Sequence, residues 1–117
     1  MSGSRSYHAG LAAEQLVEQA YARAGRPICA RRWRGSAGEI DLVARDGAEV
    51  IFIEVKQSKT HAMAAEHLTA RQMARIYRAA SEFIGGEPAG QLTAVRFDVA
   101  LVDRQGRIEI LENAFAA

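Results

Sequence analysis

Cysteine, proline and lysine are scarce in this chain of 117 residues, and net charge is nearly absent. The single Cys29 excludes an intrachain disulfide, so cohesion must come from packed apolar surface; a reducing, cytoplasmic setting is expected. Only Pro27 and Pro88 interrupt regular structure. No run approaches the roughly 18 apolar residues of a membrane-spanning helix. The start, MSGSRSYHAG, is polar and unlike a secretory leader, and residues 1–6 are expected to form a flexible arm. His61 and His67 stand six apart, with no further histidine or cysteine at ligand spacing, which argues against zinc.

What is present is apolar residue, 49% of the whole, enough for a real core within one domain spanning 1–117. The net charge of +1 says little about partners, but its distribution is uneven. Residues 38–58 are acidic, whereas 1–37 and 59–80 are basic. Nearly all the basic residues are arginine, suited to bidentate phosphate contacts, although a GC-rich genome produces the same bias.

Residues 6–24 repeat apolar positions at helical spacing, Ala13, Leu16, Val17, Ala20 and Ala24, until Gly25 and Pro27 stop them. Glu14 borders this stripe; it reads either as a solvated acid or as a carboxylate reaching over the sheet to a site. Residues 28–34 form a short strand with Cys29 as a small core residue, Trp33 at a core edge or as a stacking platform with the core favoured, and Arg31, Arg32 and Arg34 as a basic run. The run suits a phosphate backbone or merely a solvated surface. Residues 57–68 read as a polar loop. Thr69, with Gln72 three residues on, opens a helix whose core stripe is Met73, Ile76, Tyr77, Ala80 and Ile84. Arg71, Arg75, Arg78 and Glu82 occupy a separate face. Strands are expected at 92–102 and 107–111, with Arg96 paired to Asp98 and Phe115 tucked against the core.

The stretch GEIDLVARDGAEVIFIEVK, residues 38–56, reads as a hairpin turning at residues 45–48. Residues two apart share a strand face, so Phe52, Glu54 and Lys56 point together and Ile51, Ile53 and Val55 point the other way. Charged groups beside so apolar a strand are costly unless paired, metal-bound or exposed. Asp41 and Glu54 from adjacent strands are suited to a hard cation, Mg²⁺ or Mn²⁺. Lys56 on the same face is placed to orient water or to neutralise a phosphorane-like transition state. By itself a Glu-x-Lys step is weak evidence, because strand edges often carry one.

GEIDLVARDG, IFIEVK, the RFDV at residues 96–99 and the NAF at 113–115 together resemble the YraN/UPF0102 family of small bacterial proteins. The resemblance spans nearly the whole chain. It implies an α/β restriction-endonuclease-like fold, a central mixed β-sheet flanked by helices in the order α-β-β-β-α-β-β. The implied relatives are the PD-(D/E)xK nucleases of the Holliday-junction resolvase type. On that pattern Asp41 is the first metal ligand, Glu54-Val55-Lys56 the (D/E)xK element, and Glu14 the early helix glutamate that completes the shell. The chain departs from the family in carrying Gln72 where a lysine is common, and Gln57-Ser58 where Thr-Arg often follows.

Two functions remain open at this level. One is a divalent-metal-dependent DNA endonuclease acting on branched or repair intermediates, with Arg31, Arg34, Arg71 and Arg75 on phosphates. Resolvases of this fold pair two centres, which implies a homodimer. The alternative is a non-catalytic nucleic-acid-binding or scaffolding protein that retains the nuclease fold. The intact Asp41, Glu54 and Lys56 set favours the first, and the near-zero net charge favours the second.

Overall fold

The computed structural model describes residues 2–115, with side chains from Gly10 onward. Its elements are α1 (Ser2–Arg23), β1 (Ile28–Arg34), β2 (Glu39–Asp46), β3 (Glu49–Gln57), α2 (His61–Ala65), α3 (Ala70–Ile84), β4 (Val95–Val102) and β5 (Ile108–Leu111). The strands lie in the order β1-β2-β3-β4-β5, antiparallel throughout except for the parallel pair β3–β4. That pair needs a crossover, which α2 and α3 supply. The result is the expected α/β arrangement, a mixed sheet flanked by helices. No described helix is long and apolar enough to cross a membrane.

Period-two alternation on β3 divides the core. Ile51 and Ile53 face α1, where Ala13, Val17 and Tyr21 at four-residue spacing meet Leu42, Ala44, Ala100 and Val102. Val50 and Phe52 face α3, whose Ile76, Ala79, Ala80 and Ile84 cover Val43, Phe97, Val99 and Leu101. Each such side chain, fully buried, contributes about 1.5–3 kcal/mol if it is of Val to Phe size. Phe115 is buried beside Phe97 and Tyr77, at ring distances of 5.3 and 5.6 Å. Trp33 meets Phe83 edge-on at 5.3 Å and so belongs to the core edge.

Four local expectations change. Helix α1 spans Ser2–Arg23, starting ahead of the helical spacing read from residue 6; once a helix is nucleated, each added residue gains a hydrogen bond. Within the expected loop at 57–68, α2 forms because the Thr60 hydroxyl accepts from Met63 N at 3.1 Å and alanines follow. Cys29 is exposed, because the β1–β2 register shifts between Ile28 and Ala30 and the irregularity turns it outward. Strand β4 starts at Val95, after a 3₁₀ turn at Gly90–Leu92 that leaves Leu92 exposed.

Candidate functional site

Regular alternation places Asp41 on the face of Val43, towards α3, and the pattern breaks one residue earlier, at Ile40. On β2, Leu42 and Ala44 face α1 and Val43 faces α3, but Ile40 joins Val43 on the α3 face, where strict alternation would reverse it. Across from this point on β1, Arg32 adopts φ 48°, a left-handed conformation uncommon for a side-chain-bearing residue. Regular β2–β3 pairing ends at Leu42–Ile53. One residue further, Asp41 Oδ2 accepts a hydrogen bond from Val55 N at 2.8 Å. The carboxylate thus takes the place of a backbone carbonyl where the strands separate.

Glu54 follows Phe52 on the α3 face and is only 6% exposed. Burial, above all, pushes its carboxyl up to about 9, and the charge and hydrogen bond of Asp41 push the same way. Lys56 opposes this, with Nζ 3.6 Å from Glu54 Oε1. At neutral pH Glu54 therefore keeps a proton where it faces Asp41. Gln72 on α3 donates from Nε2 to Glu54 Oε1 at 3.4 Å. Its backbone N binds the Thr69 cap at 3.1 Å, so the predicted cap forms while the side chain turns to the carboxylates. The sequence marks Gln72 as a capping residue and as the position where the family commonly carries a lysine, and neither signal gives its bond to Glu54.

A cleft of about 220 Å³ opens over this pair, walled by Gly38, Glu39, Asp41 and Glu54 on the hairpin side and by Gln72, Arg75 and Ile76 of α3. Asp41 and Glu54 are therefore brought together in this cleft, and Lys56 joins them through its 3.6 Å contact with Glu54. Glu14 is held apart. Its two oxygens accept from Arg32 Nε and Nη2, each at 3.1 Å, in a separate groove between α1 and β1. Burial raises the Glu14 carboxyl, the Arg32 hydrogen bond lowers it, and the charge of Asp41 reaches it and raises it. Among the described residues no three histidine, cysteine or acidic side chains converge on a single ion position. Asp41 and Glu54 facing one another form, once Glu54 gives up its proton, an oxygen donor set that suits a hard cation retaining waters.

The four arginines expected at nucleic acid divide. Arg31 is engaged by Glu18, Nε to Oε1 2.7 Å, and Arg34 by Glu39 at 3.0 Å. Arg71 and Arg75 are exposed and make no ion pair among the described residues, and Arg75 borders the cleft.

A UPF0102 protein of Cereibacter sphaeroides (strain ATCC 17025) is 72% identical over 117 residues, covering 100% of both chains. One from Ruegeria pomeroyi is 60% identical over 113 residues, 97% of this chain and 92% of its own. One from Dinoroseobacter shibae is 42% identical over 111 residues, 95% and 83% respectively. Residues 13–102 match the uncharacterised protein family UPF0102, and with relatives of this identity over its full length the chain belongs to that family.

Proposed function

We propose that the protein is a divalent-metal-dependent DNA endonuclease that hydrolyses phosphodiester bonds, with branched or repair DNA as its substrate and the cytoplasm as its setting. The observation that carries this reading is that Asp41 and Glu54 line one cleft together, with Lys56 Nζ 3.6 Å from Glu54. Asp41 and Glu54 would hold Mg²⁺ or Mn²⁺, which at such a site neutralises phosphate charge and makes a bound water more acidic.

The chain's own groups do the rest. Val55 N fixes Asp41, so the first carboxylate needs little reorganisation. Gln72 fixes the orientation of Glu54. Lys56, already 3.6 Å from Glu54, stands ready to orient water or to offset the charge that grows on the phosphoryl oxygens. In the reaction the water oxygen bonds to phosphorus, the bond from phosphorus to one sugar oxygen breaks, and that oxygen leaves protonated. Glu14 sustains negative potential beside Asp41 and holds Arg32. A homodimer would supply one centre for each of two strands.

The test is incubation with a four-way junction and with linear duplex in Mn²⁺, beside the Glu54→Ala variant. Junction cleavage by the wild type and none by the variant is expected. Equal cleavage by both would assign the activity to a contaminant, and no cleavage by either favours a protein that only binds nucleic acid.

A further inference from the structure

The sequence is almost neutral overall, yet the fold does not spread that neutrality evenly. Most described arginines face a carboxylate: Arg31 meets Glu18, Arg34 meets Glu39 and Arg45 meets Glu87. The described arginines that make no ion pair are Arg23, Arg104 and three on α3, namely Arg71, Arg75 and Arg78. At 3.6 residues per turn the α3 three lie within about 60° of arc, spread along roughly 10 Å of helix. They are exposed, on the side of α3 turned away from Ile76, Ala80 and Ile84. The row leans into the cleft through Arg75, which stands with Gln72 on the α3 wall, across from Glu54.

One acid belongs to this face, Glu82, and it stands four residues after Arg78, the usual spacing for a helical ion pair. It does not take that partner. Its carboxylate instead accepts from Ser36 N at 2.9 Å and from the Ser36 hydroxyl. These bonds hold its pKa below the usual carboxylate value. Gly35 makes the approach possible, since a β-carbon there would collide with Glu82 Oε2. The β1–β2 loop thus engages the carboxylate of the one acid on this face, and Arg78 makes no ion pair among the described residues.

We propose that the face of α3 bearing Arg71, Arg75 and Arg78 is the track on which a nucleic-acid phosphate backbone lies as it enters the cleft. This rests on the reading of the cleft as a phosphodiester-cutting centre, because that reading puts a phosphate beside Arg75. Arginine suits such a track through its forked donors. The track assigns Arg78 to the interface and sets Arg31 and Arg34 outside it, as both are occupied by acids.

The test measures binding of a fluorescein-labelled DNA duplex in EDTA, where nothing is cut, as a function of salt. Every phosphate that a variant no longer neutralises flattens the slope of log K against log salt by about 0.9. Arg78→Ala is expected to lose about that much, and the Arg71, Arg75 and Arg78 triple alanine variant about 2.7. Arg23→Ala, which removes an equal and equally unpaired charge at the end of α1, should leave the slope unchanged. Equal losses for Arg23→Ala and Arg78→Ala would mean diffuse attraction and overturn the track, as would a wild type that does not bind. A protein that cuts in Mn²⁺ but binds independently of Arg78 refutes the track alone. One that binds through Arg78 but never cuts refutes the nuclease reading alone.

Discussion

Asp41 reaches across a strand boundary to Val55, its Oδ2 2.8 Å from the backbone nitrogen. The bond lies one residue beyond the last regular β2–β3 pair, so the aspartate does structural work as well as any chemistry. Asp41→Asn retains an oxygen for Val55 N and removes the charge. Its stability should stay within about 1 kcal/mol of wild type, whereas Asp41→Ala leaves a part-buried N–H without this acceptor and should lose about 1–3 kcal/mol. Urea unfolding in EDTA separates the two. Neither variant should cleave DNA, and cleavage by Asp41→Asn would remove the aspartate from the proposed metal site.

Glu54 makes stability depend on pH in an unusual direction for a carboxylate. Its folded pKa of about 9 lies above the ordinary value of 4.5, so between those values the folded state binds a proton that the unfolded state lacks. The contribution is fully present below about 4.5 and is lost as pH rises towards 9. Mid-window, the loss approaches about 1.4 kcal/mol per pH unit for one proton. Glu54→Gln should remove this slope and melt higher than wild type at about pH 8 in EDTA. Parallel pH profiles for the two proteins would contradict the assignment.

Tyr21 donates to Asp98 at 2.6 Å and so ties α1 to β4. Asp98 has no exposed surface, and it also receives Arg96 through two bonds at 2.9 and 3.0 Å and Asn113 N at 2.9 Å. Tyr21→Phe removes one donor to a buried charge and should destabilise the protein by about 1.5–3 kcal/mol. DNA cleavage at a temperature well below the melting point should be unchanged. A loss of cleavage without loss of stability would show that the network serves the site and not the packing.

Much of this was legible from residues alone, and what was missed has local causes. The α1 and α3 stripes, the hairpin and the Arg96–Asp98 pair follow from period and turn chemistry. Alternation correctly placed Phe52, Glu54 and Lys56 on one face. It failed at Ile40, because a left-handed Arg32 and the side-chain bond of Asp41 interrupt the ladder there, and neither has a sequence signature. The engagement of Glu14 by Arg32 depends on the same irregularity. Helix α2 could have been read from Thr60 and the alanines after it. The choice of Ser36 over Arg78 by Glu82 could not, since helical spacing favoured the arginine.

Lys56 is the residue on which chemistry and metal binding should part. Its ammonium is mostly buried, 3.6 Å from Glu54, and opposes the upward shift of that carboxyl. Lys56→Met keeps the length of the stem and removes the charge. Without it Glu54 is harder to ionise, so Mn²⁺ should bind more weakly but still bind, because Asp41 and Glu54 remain. Cleavage should fall by about 10²-fold or more, the usual contribution of a positioned proton-handling group. Melting with and without Mn²⁺ reports the first effect through ligand linkage, and initial rates at saturating Mn²⁺ report the second. Glu54→Ala should lose both the Mn²⁺ stabilisation and the cleavage. If Lys56→Met cuts as fast as wild type once Mn²⁺ saturates, the lysine serves only as a counter-charge to Glu54, and some other group must handle the water.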